Sequence, residues 1–146
     1  MDKSFNPEIT AFIDRLAETG SNYRIDEMRD LYAENLGFLF LTRDGEVARL
    51  SKQDILEEFT ARGQGGEPPL STEKRILHIE EQGDEATAVL YRRMSPVSDP
   101  ALYELRLKKL GGQWRVYGET VMPWPDLAAA KGFLPPRKRA DAPTAG

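Results

Sequence analysis

Four successive runs between Thr72 and Met122 alternate apolar and polar residues with a period of two. They follow a stretch whose apolar residues recur every three to four positions. The first period suits strands and the second suits helices, so the chain divides into a helical front and a strand-rich back. The runs are Thr72–Gln82, Glu85–Met94, Ala101–Leu110 and Gln113–Met122. Gly83-Asp84 and Gly111-Gly112 fit two-residue hairpin turns between them, whereas Ser95–Pro100, with two prolines, reads as a longer loop. Helices first and an antiparallel meander afterwards predict an α+β fold, the helices covering one face of the sheet.

The helical part has clear punctuation. Asn6-Pro7 is a cap followed by proline at the first helical position, and Ile9, Phe12, Ile13, Leu16 and Ala17 keep the helical period up to Gly20. Ile25, Met28, Leu31 and Tyr32 carry a second, shorter helix with Asp26 and Glu27 in its first turn. Phe38–Leu41 is a short apolar strand, Asp44-Gly45 a turn signal, and Glu46–Leu50 can pair back. Ser51 and Asp54 form a capping box opening a third helix, with Ile55, Leu56 and Phe59 as its buried stripe and Gly63 as its end. Residues 63–70 hold three glycines and two prolines and read as a loop. Residues 1–122 are therefore expected to form a single domain. Residues 123–146, rich in Pro, Ala and basic side chains, are expected to be a partly disordered extension.

Composition narrows the chemistry. The 146 residues carry a net charge of −4 and show no basic stripe before residue 123, so no nucleic-acid partner is expected. No cysteine is present, which removes disulfides, thiol nucleophiles and thiolate metal sites. His78 is the only histidine, so zinc would need an unusual carboxylate set, and no metal or other cofactor is expected. No apolar run reaches membrane-spanning length, and the opening MDKSFNPE lacks a secretion signal's basic and apolar regions, so a cytoplasmic location is expected. Gly63-Gln64-Gly65-Gly66 lacks the Lys-Ser/Thr of a phosphate loop, and Arg137-Lys138-Arg139 reads as a solvated tail.

The order helix, helix, short hairpin, helix, four long strands resembles the nuclear-transport-factor-2-like superfamily, including its SnoaL-like polyketide cyclase branch. The carriers are the helix entry at Tyr23–Leu31, Gly83-Asp84-Glu85-Ala86, and Gly111-Gly112-Gln113-Trp114-Arg115-Val116, within a resemblance spanning roughly residues 7–122. It implies a curved mixed or antiparallel sheet wrapped around the N-terminal helices, a cone-shaped α+β barrel with a cavity at one end. It also implies a homodimer through the outer sheet face. Members include ligand-binding domains, isomerases, dehydratases, cyclases and protein-docking modules, so the fold does not choose a function. The expected function is that of a homodimeric scaffold or binding domain for a small apolar molecule. The alternatives are an acid/base enzyme acting on a small carbonyl substrate, and a docking module.

Hairpin register suggests which side chains see the cavity. Counting back from Leu110 and Gln113 sets Leu107 opposite Val116, Leu105 opposite Gly118 and Tyr103 opposite Thr120 on the inner face, with Glu104 opposite Glu119 outside. In the earlier hairpin, Leu77, Ile79, Ala88, Leu90 and Arg92 are taken as inward, and Ile76, His78, Val89 and Tyr91 as outward. Tyr32, Arg92 and Tyr103 are thus the ligand-binding candidates, since a tyrosine hydroxyl and an arginine at a cavity mouth can orient a carbonyl or carboxylate. The same tyrosines also suit a plain core, with Arg92 reaching solvent. Catalytic residues are not assignable: His78 has no partner at a recognisable spacing. Glu104 and Glu119 would be either a pair of raised pKa or a pair neutralised by Arg106 and Arg115. The resemblance also brings ketosteroid isomerase, with an aspartate base and a tyrosine donor, but no aspartate here stands at a matching strand position.

Overall fold

The computed structural model describes residues 4–137, of the 146 in the chain. Helix α1 (Pro7–Ser21) begins where the Asn6 side chain accepts from the Glu8 amide, and α2 (Ile25–Leu31) follows after a short link. Strands β1 (Tyr32–Leu41) and β2 (Val47–Leu50) come next, then α3 (Lys52–Gln64). The expected capping box is present, with Ser51 and Asp54 each bonding the other's backbone amide. Helix α3 runs past Gly63, one residue further than expected, and closes at Gly65. Strands β3 (Lys74–Gln82), β4 (Glu85–Arg92), β5 (Ala101–Leu110) and β6 (Gln113–Pro123) complete the domain. Gly111 and Gly112, both at positive φ, make the β5–β6 turn.

The six strands form one open sheet in the order β2-β1-β6-β5-β4-β3. All neighbours are antiparallel except β1 and β6, which run parallel, so the sheet is mixed. Strand β1 is longer than its apolar run because residues from Tyr32 onward join β6, and Tyr32 therefore opens a strand rather than ending a helix. All three helices share one buried cluster with one sheet face. Ile9, Phe12, Ile13 and Leu16 of α1, Met28 and Leu31 of α2, and Ile55 of α3 meet Ala88, Leu90, Leu105, Leu107 and Val116 there. No described helix is long and apolar enough to cross a membrane.

Two bulges change the register that plain hairpin counting gives. On β6, Leu107 pairs Val116 as expected, but Arg106 then pairs Gly118, leaving Tyr117 as an extra residue. Everything beyond is displaced by one: Leu105 faces Glu119, Tyr103 faces Val121, and Glu104 faces Thr120. On β3, Ile76 pairs Leu90 and His78 pairs Val89, so Leu77 is the extra residue and Ile76 packs against the core rather than pointing out. A bulge is the cheap way to bend a strand, and a one-residue slip exchanges the faces of every side chain after it.

Beyond Pro123, Trp124 is half-buried against Tyr91; the chain then makes one short 3₁₀ turn, Leu127–Ala129, capped by Asp126, and lies exposed from Pro125 to residue 137. Lys138 and Arg139 of the basic run, and residues 140–146 of the expected extension, lie outside the described residues.

Candidate functional site

The bulge at Tyr117 determines the chemistry of the inner face. Tyr117 and Gly118 both stand on the outer side, which returns Glu119 to the inner side between Val116 and Val121. Its side chain is buried, with an exposure of 5%. The expectation that Glu119 faces Glu104 outside is therefore corrected: Glu104 lies outside, 3.3 Å from Arg106, while Glu119 lies inside. The absence of a side chain at Gly118 lets Arg106 lie over the bulge, since a Cβ there would stand 2.6 Å from the Arg106 Cζ and displace the guanidinium. That guanidinium also donates to Thr120 Oγ1 at 3.2 Å, covering the outside of the bulge.

Glu119 is one wall of a cavity of about 410 Å³ between the helices and the sheet. Apolar side chains make most of the wall: Ile13, Leu16 and Ala17 from α1, Phe59 from α3, and Leu90 and Leu105 from the sheet. Helix α3 buries only Lys52 and Ile55 fully, so it roofs the cavity instead of packing down onto the sheet. The cavity's charged rim is internally paired. Arg62 bonds Glu58 at 2.9 Å and Glu67 at 3.1 Å, and Lys74 sits 2.6 Å from Asp14.

The three residues singled out from the sequence, Tyr32, Arg92 and Tyr103, all line this cavity together with Glu119. Tyr32 arrives from the start of β1, Arg92 from the end of β4, and Tyr103 from β5. Arg92 is 9% exposed, so it does not reach out to solvent. Its Nη2 donates to the Ser71 carbonyl at 2.8 Å and to Ser21 Oγ at 3.4 Å, and its Cζ lies 5.7 Å from the Tyr103 ring centre. Its Nε is buried without a hydrogen-bond partner, as is Glu119 Oε1. Neither tyrosine hydroxyl, and neither oxygen of Glu119, makes a hydrogen bond among the described residues. A buried polar group without a partner costs about 1–3 kcal/mol, so Arg92 Nε and Glu119 Oε1, left unpaired together at one end of an apolar cavity beside two unbonded phenols, are a costly arrangement for structure alone.

Electrostatics follows from this burial. Glu119 is pushed up to about 7, first by desolvation, with the distant Glu104 adding to it and Arg92 opposing. The Tyr103 phenol is pushed up to about 12, by desolvation and then by Glu119, against the pull of Arg92. Tyr32 is raised well above 10.0, by desolvation first and then by Glu119 and Tyr103. At neutral pH the cavity end thus offers two phenol donors, one guanidinium and a carboxyl group close to half-ionised. Such a set can bind an oxygen function and can exchange a proton with it.

Other candidates lie elsewhere. His78 sits on the edge strand β3, 2.8 Å from Glu80 Oε1 and over the edge of the Phe5 ring, away from the cavity. Among the described residues no three His, Cys, Asp or Glu side chains gather as a metal site. The outer sheet face is more polar than the sequence suggests, because Ile76 turns inward. Lys108 lies 4.7 Å from the Tyr117 ring, Arg75 lies 5.8 Å from the Tyr91 ring, and Trp124 meets Tyr91 edge-on.

Glu119 is the residue that counting from the turn misses. The available signal is Gly118, a glycine inside an otherwise regular strand, which marks a bulge or a close approach.

No protein-family model and no curated protein sequence matches the chain. Solved structures do. A nuclear-transport-factor-2-like protein from Cytophaga hutchinsonii superposes with a TM-score of 0.66 at 15% identity, covering 82% of this chain and 100% of its own. One of unknown function from Shewanella baltica gives 0.65 at 16% identity, covering 86% and 100%. Another of unknown function, from Pseudomonas putida, gives 0.62 at 18% identity, covering 88% and 94%. At these identities the likeness is one of fold, and the chain has the nuclear-transport-factor-2-like α+β fold.

Proposed function

We propose that the chain is a small-molecule-binding protein whose ligand lies in the cavity under α3, apolar body against α1 and Phe59, polar end against Tyr32, Arg92, Tyr103 and Glu119. One observation carries this reading: buried polar atoms with unused hydrogen-bonding capacity gather at one end of an otherwise apolar cavity. Calorimetric titration with small apolar ketones, alcohols and acids tests it. The Ala17→Leu variant, which fills the cavity from α1, should abolish binding without lowering Tm. Binding that survives this variant unchanged would place the ligand elsewhere.

A second reading, that the same site is an acid/base catalyst on a small carbonyl substrate, is favoured by Glu119 titrating at about 7 beside two neutral phenols. Deuterium exchange into the α-positions of 2-tetralone, followed by NMR in D₂O, tests it. Exchange should be faster than in buffer alone and lost in Glu119→Gln. Exchange at the buffer rate would remove the catalytic reading and leave the binding one.

A homodimer through the outer sheet face belongs to the same proposal. Tyr91, Tyr117 and Trp124 supply the aromatic surface there, ringed by Arg75, Lys108 and Glu85. Light scattering after size exclusion decides it, and a monomer at micromolar concentration would rule it out.

A further inference from the structure

We propose that the cavity selects the monoanion of a small apolar carboxylic acid, taken by Arg92 and the two phenols, and that binding draws a proton onto Glu119. This rests on the binding reading above and names the ligand's chemistry. Charge and donor count support it. Among the described residues Arg92 is the cavity cation without an ion-pair partner, since Arg62 is paired with Glu58 and Glu67, and Lys74 with Asp14. Arg92 makes hydrogen bonds only through Nη2, so Nε and Nη1 keep their donors, and the hydroxyls of Tyr32 and Tyr103 are also unused. Those donors face one acceptor, Glu119. A carboxylate has lone pairs for a guanidinium and two hydroxyls at once, and such charge-assisted bonds are the strong ones in a dry site.

The groups facing Glu119 decide its response. Arg92 from β4 favours its ionised form, burial and Glu104 on the outer side of β5 oppose it, and Tyr32 from β1 and Tyr103 from β5 stand by it as neutral phenols. With Glu119 ionised, its charge and that of Arg92 cancel, and an entering anion leaves the buried cluster with a net negative charge. With Glu119 protonated, the entering anion cancels Arg92 and the carboxyl adds a fourth donor. Binding of an anion is therefore coupled to proton uptake, while binding of a neutral isostere is not.

Titration of octanoate against octanamide, and of 3-phenylpropanoate against 3-phenylpropanamide, by calorimetry between pH 6 and 9 tests this. At pH 8, in buffers of different ionisation enthalpy, the acids should take up ~0.9 proton and the amides none, because Glu119 is mostly ionised one unit above its midpoint. The Kd of the acids should rise roughly tenfold per pH unit above 7, a dependence that Glu119→Gln removes. Arg92→Met should weaken acids at least ~tenfold more than amides. If that variant fails to fold, the wild-type pH and buffer comparison decides alone. Amides binding as tightly as acids at pH 6.5, or acids with a flat Kd from pH 6 to 9, would overturn the carboxylate proposal and leave the cavity reading intact. Binding of neither class would overturn the carboxylate proposal, and failure of the ketones and alcohols as well would overturn both.

Discussion

Replacing Glu119 with glutamine should make the protein more stable at pH 8 and remove the fall in stability that this carboxyl causes between pH 4.5 and about 7. In the folded chain the carboxyl titrates at about 7, against 4.5 for an unperturbed glutamate. The difference of roughly 2.5 units corresponds to about 3 kcal/mol at 1.36 kcal/mol per unit. The sign follows from which state binds the proton. Below pH 4.5 the carboxyl is neutral in both states and contributes no pH dependence. Between 4.5 and 7 the unfolded chain releases its proton first, so folding stability falls as pH rises, and above about 7 the loss is complete. A glutamine side chain cannot ionise and is nearly isosteric, so the variant's stability advantage over wild type should grow by about 3 kcal/mol between pH ~4.5 and ~8. Urea denaturation followed by tryptophan fluorescence, with Trp114 buried in the core, measures it at each pH. At this chain length the gain amounts to roughly 10 °C in Tm. Parallel pH profiles for wild type and Glu119→Gln would be incompatible with this, because they require a glutamate that ionises equally easily in both states.

Three further outcomes are expected. Tyr103→Phe should leave urea stability within about 1 kcal/mol of wild type, since the hydroxyl has no protein partner, yet weaken ligand binding in the calorimetric assay. Leu105→Ala, at a side chain only 1% exposed beneath the bulge, should cost about 2–5 kcal/mol in the same denaturation experiment. Gly118→Ala pushes on the flexible end of Arg106 rather than on backbone, so the cost should be about 1 kcal/mol, with loss of the Arg106–Thr120 contact visible in a crystal structure of the variant.

The fold is readable where local signals are strong. Asn6-Pro7 and the Ser51/Asp54 box open helices where caps predict, and the alternation after residue 72 places four strands to within a few residues. The apolar pattern makes β1 too short because its first half, Tyr32 to Gly37, has no alternation of its own and is held by parallel pairing to β6. Register is readable only as far as the first irregularity. Leu107 opposite Val116 follows from the turn, but a bulge depends on how the sheet must bend around α1, which hairpin counting does not encode. Tyr32, Arg92 and Tyr103 are therefore reached by pattern, while Glu119, displaced onto the inner face by Tyr117, is not.

Everything proposed for the cavity depends on a carboxyl group turned inward by one extra strand residue. A ¹³C NMR titration of the glutamate side-chain carbons, with the Glu119 resonance identified by its disappearance in Glu119→Gln, reports on that group alone. A midpoint at about 7 is what the inward position requires. A midpoint near 4.5, the value of a solvated glutamate, would mean that Glu119 lies outside with Glu104 and that the cavity has no acid in it.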